Sequence, residues 1–456
     1  MSRDPHRFRA ALLFGVISLL VSPAQAQTEN DEKPDETSET LPFDGRITTQ
    51  EEVAAAMRPK GSGPFLVLGW PFGKLFSGME KGLVAFEKNK VREKMFDFQQ
   101  KLSRAGFRPL FGGMGEGSGM GVGTVFQVPR RIEPTPGVTA LSLLGRFSFL
   151  SGYQEFSANF LTAPVHGSNL ILYTNYQWRP NEPYYGFGQY SSLDDASSFA
   201  LRQTAFTARL EFMPVSRLSF GSEFSVSFLK ALGTTGGTRP SIEEVFGDDV
   251  PGLNERAQLQ SIGLFLNANG LRGDYGLGGR AELGLSYQDS FGGDMDIRYA
   301  LIEGAFEGHL PIAPGRSVLV AQGFTKLLRE QRGSGPIPFY LYPRTGGSTT
   351  LRGFTLDRFY GRNRVNATLE YRVALHPNVE FQVFFDEGQI FQNTEQLNFK
   401  DWHRTYGAGF RFKNQTGTQF TIEFSTSEEG FVVHISFGGR AARPLTGPVR
   451  YPNYRP

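Results

Sequence analysis

Residues Pro338 to Phe391 read PFYLYPRTGGSTTLRGFTLDRFYGRNRVNATLEYRVALHPNVEFQVFFDEGQIF. The later part alternates. Val365, Ala367, Leu369, Tyr371 and Val373 hold the odd places, and Glu370 holds an even one. In the next run Phe381, Val383 and Phe385 are apolar, so Phe384, Asp386 and Gly388 share the opposite face. Successive side chains of a strand point to opposite sides. Neighbouring strands therefore offer two carboxylates, Glu370 and Asp386, on one face. Ahead of them a Gly-rich loop carries Arg352 between Leu351 and Gly353. A guanidinium is a rigid fork of donors that can bridge two carboxylates. The expectation is that Arg352 folds back to meet Glu370 and Asp386 inside a membrane β-barrel. Gly353 would let the loop turn tightly, and Gly388 would leave room for it. The plainer alternative leaves Arg352 in solvent and the carboxylates lining a water channel.

The same grammar extends outward in both directions. Leu218, Phe220, Phe224, Val226 and Phe228 oppose Ser219, Gly221, Glu223, Ser225 and Ser227. Phe206, Ala208, Leu210 and Phe212 oppose Gln203, Thr207, Arg209 and Glu211. The final runs repeat it: Tyr406 to Lys413, Phe420 to Ser425 and Phe431 to Phe437. A sandwich and a membrane barrel both alternate, but only the barrel turns its apolar face to lipid and fills its lumen with polar groups. Length and number favour the barrel: about fifteen strands of roughly nine or more residues, the length a tilted bilayer-crossing strand needs. Bacterial barrels close on even counts, so the expected fold is all-β, a transmembrane antiparallel barrel of about sixteen strands. The first strand is expected near Gly117 to Val128. Its glycines lower the strand's stability, as a plain barrel corner would. Asn181 to Ser198 and Gly233 to Asn254 read as outer-face loops. Pro214-Val215 and His376-Pro377-Asn378 read as turns at the opposite end.

Before the barrel, residues 1–26 read as a secretory signal. Arg3, Arg7 and Arg9 precede the apolar run Ala10 to Val21, and Ala24-Gln25-Ala26 supplies a cleavage site. Residues 27–60 form an acidic, Pro-bearing linker with little to bury. Residues 61–112 form a periplasmic segment with a short amphipathic helix, where Phe76, Met79, Leu83, Phe86, Val91, Met95, Phe98 and Leu102 recur at helical steps. That helix could lie on the membrane, plug the barrel or pack on a periplasmic cap. The barrel occupies 113–438, and 439–456 is a Pro-rich basic tail.

The 456 residues carry a net charge of +2, which offers no field for nucleic acid. Cysteine is absent, so disulfides and Cys-ligated metals are excluded. The six His residues show no metal-ligand spacing, and neither a Gly-x-Ser-x-Gly elbow nor a Gly-Lys-Ser phosphate loop occurs. Gly112 to Gly117 resembles a nucleotide loop only by glycine content. The reading is of a non-enzyme, without catalytic residues, metal or cofactor.

The order of Gly346-Gly347, then Leu351-Arg352-Gly353-Phe354, then a strand with Asn363 and Glu370, then Phe384-Phe385-Asp386-Glu387-Gly388 resembles the C-terminal signature of the BamA/TamA-type assembly barrels, the bacterial surface antigen family. Tyr184-Tyr185-Gly186-Phe187-Gly188 extends the likeness to an earlier loop. The resemblance implies a bacterial outer-membrane location and a role in inserting or translocating other proteins. Its partners would be outer-membrane lipids, client outer-membrane proteins or periplasmic accessory proteins. Arg352, Gly353, Phe354, Glu370, Asp386 and Gly388 would form a structural loop lock. The family usually carries POTRA domains, but Gln27 to Phe111 shows no repeated strand–helix–helix–strand pattern. The other reading is a closed structural or diffusion-channel barrel without client activity.

Overall fold

Alternation that buries its polar face gives a sheet wrapped around a polar interior, and that is what the chain builds. The computed structural model describes residues 105–113, 119–127, 140–161, 167–234, 238–398, 400–414 and 417–437. The expected signal, acidic linker, amphipathic helix and basic tail lie outside these residues, as does most of the stretch read as lacking POTRA repeats.

The first strands are β1 (Phe107–Gly113), β2 (Met120–Gln127), β3 (Ala140–Ser148) and β4 (Gln154–Leu161). Longer ones follow: β5 (Ser168–Tyr184), β6 (Ser197–Val215), β7 (Leu218–Gly233), β8 (Arg256–Asn269), β9 (Gly278–Gly293), β10 (Arg298–Ala313) and β11 (Ser317–Glu330). A loop holds the short pair β12 (Arg344–Thr345) and β13 (Phe359–Tyr360). The chain closes with β14 (Asn363–His376), β15 (Val379–Phe391), β16 (His403–Asn414), β17 (Gly417–Ser427) and β18 (Gly430–Phe437). All but β12 and β13 form one 16-stranded sheet in chain order. Each described neighbour pair is antiparallel.

The faces are inverted relative to a soluble sheet. Phe206 is 52% exposed and Leu264 63%, while Arg209 on the other face of β6 is 4% exposed. Inside, ion pairs bridge adjacent strands: Arg209–Glu223 at 3.4 Å, Arg280–Glu307 at 2.9 Å and Lys326–Glu303 at 2.9 Å. An apolar exterior around a charged interior is stable only with hydrocarbon outside. The fold is a transmembrane β-barrel.

Three boundaries differ from the sequence reading. The barrel starts at Phe107, ahead of residue 113, and the strand over 117–128 is the second. Pro109 and Gly112-Gly113 hide the alternation of β1, and a sheet edge tolerates such a proline. The β6–β7 turn is Ser216-Arg217, with Pro214 inside an irregular end of β6 where the register shifts between Phe212 and Val215.

At the loop end the long connections are not merely polar. Helix α1 (Ile242–Phe246) and neighbouring loops bury Ile242, Ile297, Phe339 and Tyr360 against Tyr184 and Phe199. Tyr184 packs at 5.1 Å on Phe339 and 5.0 Å on Tyr360. Each such side chain contributes about 1.5–3 kcal/mol on burial. This cluster anchors the β11–β14 loop, which carries Arg352, inside the rim.

Candidate functional site

The site starts from register. Glu370 pairs with Phe384, and Thr368 with Asp386. Glu370 and Asp386 are thus diagonal neighbours on the lumen face, with the Phe384 ring between them. The loop lowers Arg352 onto this platform, and its guanidinium carbon stands 3.3 Å from the Phe384 ring centre. Nε reaches Asp386 Oδ2 at 2.8 Å and Nη2 reaches Oδ1 at 2.5 Å, the two-pronged geometry of a guanidinium on a carboxylate. Nη1 donates to Glu370 Oε1 at 2.9 Å. It also donates to Glu423 Oε1 on β17 at 3.1 Å. Arg352, Glu370 and Glu423 are each 1% exposed and Asp386 0%. Burial alone would lower the Arg352 pKa, but Asp386, Glu370 and Glu423 outweigh it and raise it, so the group is cationic.

The carboxylates have further partners. Thr368 Oγ1 donates to Asp386 at 2.9 Å, Gln382 Nε2 to Glu423 at 2.6 Å, and Arg372 Nε to Glu370 at 2.8 Å. Buried charges persist when paired and hydrogen-bonded in this way.

The backbone of Arg352-Gly353 is held as firmly as the side chain. Arg352 N donates to Asp386 at 3.2 Å. Its carbonyl accepts from Ser425 Oγ and from His434 Nε2, both at 2.6 Å. Gly353 N donates to Thr405 Oγ1 at 3.1 Å, and Gly353 O accepts from Ser427 Oγ at 2.7 Å. Two residues thereby touch every strand from β14 to β18.

The glycines fit for reasons of space. Gly353 does not have a positive φ. A Cβ there would lie 2.8 Å from Ser427 Cβ and 2.9 Å from Thr405 Oγ1, so close approach, rather than the tight turn expected, selects glycine. At Gly388 a Cβ would meet Asn366 Nδ2 at 2.2 Å and Leu351 at 3.2 Å. Phe354 sits beside the clasp in a buried cluster with Leu351, Phe359 and Ile390.

The structure thus brings Arg352 together with Glu370 and Asp386, and sets Gly353, Phe354 and Gly388 around them. The sequence reading missed Glu423 and the platform role of Phe384. Glu423 stands on the polar face of its strand, so parity marks it as lumen-facing. What parity omits is how far round the barrel β17 lies from the loop. The early Tyr184–Gly188 segment also lands here: Tyr185 OH accepts from Thr355 Oγ1 at 3.0 Å, and Gly188 N donates to Tyr360 O at 2.7 Å.

At the end of the sheet, β1 and β18 come within 8 Å of each other by Cα atoms. No ladder joins them among the described residues.

No family model and no curated protein matches the chain. Among solved structures it is similar to BamA from Haemophilus ducreyi lacking POTRA domains 1–3, at 17% identity and a TM-score of 0.54, over 73% of this chain and 70% of that one. CdiB from Acinetobacter baumannii matches at 10% identity and a TM-score of 0.45, over 72% of this chain and 58% of that one. CdiB from Escherichia coli matches at 12% identity and 0.48, over 71% and 60%. In fold, the described part of the chain is a barrel similar to that of BamA.

Proposed function

We propose that this barrel sits in the bacterial outer membrane and assists the insertion or translocation of other proteins there. The observation that carries the reading is the seam: two end strands side by side without a ladder among the described residues. An unpaired strand edge exposes a row of N–H and C=O groups that a client strand can complete by edge pairing. In hydrocarbon such groups are costly to leave bare, so an incoming strand is strongly favoured. Outer-membrane lipids, client barrel proteins and periplasmic accessory proteins are the partners this reading names.

Within it, Arg352, Gly353, Phe354, Glu370, Asp386 and Gly388 act as a structural lock. They hold the loop inside the barrel and brace the strands leading to the seam. Nothing in that role requires a reaction.

A cysteine pair placed across β1 and β18 tests the reading. Oxidation should abolish insertion of a client barrel into proteoliposomes, and reduction should restore it. Depleting the protein should lower the levels of other outer-membrane proteins. Full insertion with the seam covalently closed, or unchanged outer-membrane protein levels on depletion, would count for a closed structural or diffusion-channel barrel instead.

A further inference from the structure

The turns at the end of the barrel opposite the long loops are mostly short. Two residues link β6 to β7, and two link β14 to β15. The β8–β9 connection instead takes eight, residues 270–277. Its tip does not point away from the barrel. Asp274 Oδ2 lies 2.5 Å from Lys413 Nζ on β16. The Tyr275 hydroxyl donates to Glu380 on β15, and Lys413 Nζ stands 5.1 Å from the Tyr275 ring centre. In the sheet, β10, β11 and β14 separate β9 from β15. The connection therefore leaves the wall, passes inside the turn ends of three strands, and reattaches beyond them.

The landing site faces the lumen. Glu380 shares the inward parity of Gln382 and Asp386 and is 1% exposed. It is held in place independently of the strap, by Arg411 Nη1 at 2.8 Å and Lys413 Nζ at 3.0 Å. Asp274 and Tyr275 thus dock on a preformed charged ledge. Hydrogen bonds and ion pairs at the mouth of a pore set what passes through it.

We propose that residues 270–277 form a strap that constricts the lumen at the turn end against ions and small solutes. A wall that parts at its seam would otherwise risk a leak. The strap's geometry does not depend on whether the barrel handles other proteins, and its test is separate from the insertion assay.

The test uses the full chain carrying Asp274→Ala and Tyr275→Ala together. Glu380 keeps Arg411 and Lys413 in this variant, so the wall should stay intact, which heat-modified gel migration verifies. Two readouts cover both states of the loop end. Single-channel conductance in planar bilayers reports a lumen open at that end. Labelling of Gln322→Cys, a lumen residue in a chain with no native cysteine, by a membrane-impermeant thiol reagent in nanodiscs reports one that is closed there. Release of the strap should raise conductance by roughly twofold or more, or speed labelling by roughly tenfold. If folded variant protein shows neither change, the strap does not obstruct the lumen and the proposal is overturned.

Discussion

The two flanks of the seam belong to one sheet and follow one alternation, yet their lumen faces are built differently. On the β18 flank, five strands converge on Arg352 and Gly353: Glu370 from β14, Asp386 from β15, Thr405 from β16, Glu423, Ser425 and Ser427 from β17, and His434 from β18. On the β1 flank, among the described residues, β1 and β2 share their ladder and the Phe107–Phe126 rings at 4.7 Å, and the lumen pair Arg146–Glu155 joins only β3 to β4. Backbone pairing makes a wall, but it does not make every part of the wall equally stiff. A buried guanidinium shared by several strands braces its flank because no member can leave without uncovering a charge. If the seam parts, β1 and β2 are the expected moving side.

The largest test of that contrast removes the brace. Arg352→Ala leaves three carboxylates facing one another out of water, and should cost about 3–5 kcal/mol. The measurement is the temperature at which the folded band is lost on a heat-modified gel. Wild-type heat resistance in the variant would break the comparison. Glu423→Gln is milder. It exchanges an ion pair for a hydrogen bond from the charged guanidinium to a neutral amide while Asp386 and Glu370 remain, for a loss of about 1.5–3 kcal/mol in the same assay. A loss equal to that of Arg352→Ala would mean that β17, rather than the pair of adjacent strands, dominates the clasp.

The strap supplies a smaller, pH-dependent effect on the braced flank. Burial pushes the Asp274 carboxyl up, but the Lys413 bond and charge, with Arg411 and Arg372 behind it, outweigh that and hold it below its ordinary 3.8. A carboxyl with a lowered folded pKa stabilises above its unfolded value, and that stability fades as pH falls through the lowered one. Glu380 and Tyr275 also face the group. Wild-type conductance should stay flat from neutral pH to about 4 and rise only below it. A rise already near neutrality would show that another group holds the strap. The smallest effect is expected on the β1 flank: Thr124→Ala, at an exposed position of β2, should shift stability by less than about 0.5 kcal/mol. A loss like that of Arg352→Ala would erase the distinction between the flanks.

Much of this was legible in the residues, because parity is a local property. Val365 to Val373 and Val379 to Gly388 state which side each residue faces, and so identify Glu370 and Asp386 as candidates for one arginine. Glu423 carries the same mark, but joining it to Arg352 requires the curvature of the whole sheet, which no local pattern encodes. The strap is invisible for a related reason: nothing in residues 270–277 says where the tip of a connection will land. The apolar cluster at the loop end was also hidden. Ile242, Phe246 and Leu253 lie among Gly, Pro and Asp in a segment that reads as polar, and only the folded barrel's strand ends and neighbouring loops give them something to pack against.

The unequal lengths of the strands have one more consequence. β5 runs 17 residues and β6 runs 19, against 11 in β17 and 8 in β18. Crossing the hydrocarbon takes about 9–11. The surplus stands as a palisade on one side of the crown, while the tight hairpin at Glu428-Glu429 leaves the other side low. A bulky visitor descending from that direction would be fended off over β5 and β6, and would find its way down to the head groups beside β17 and β18.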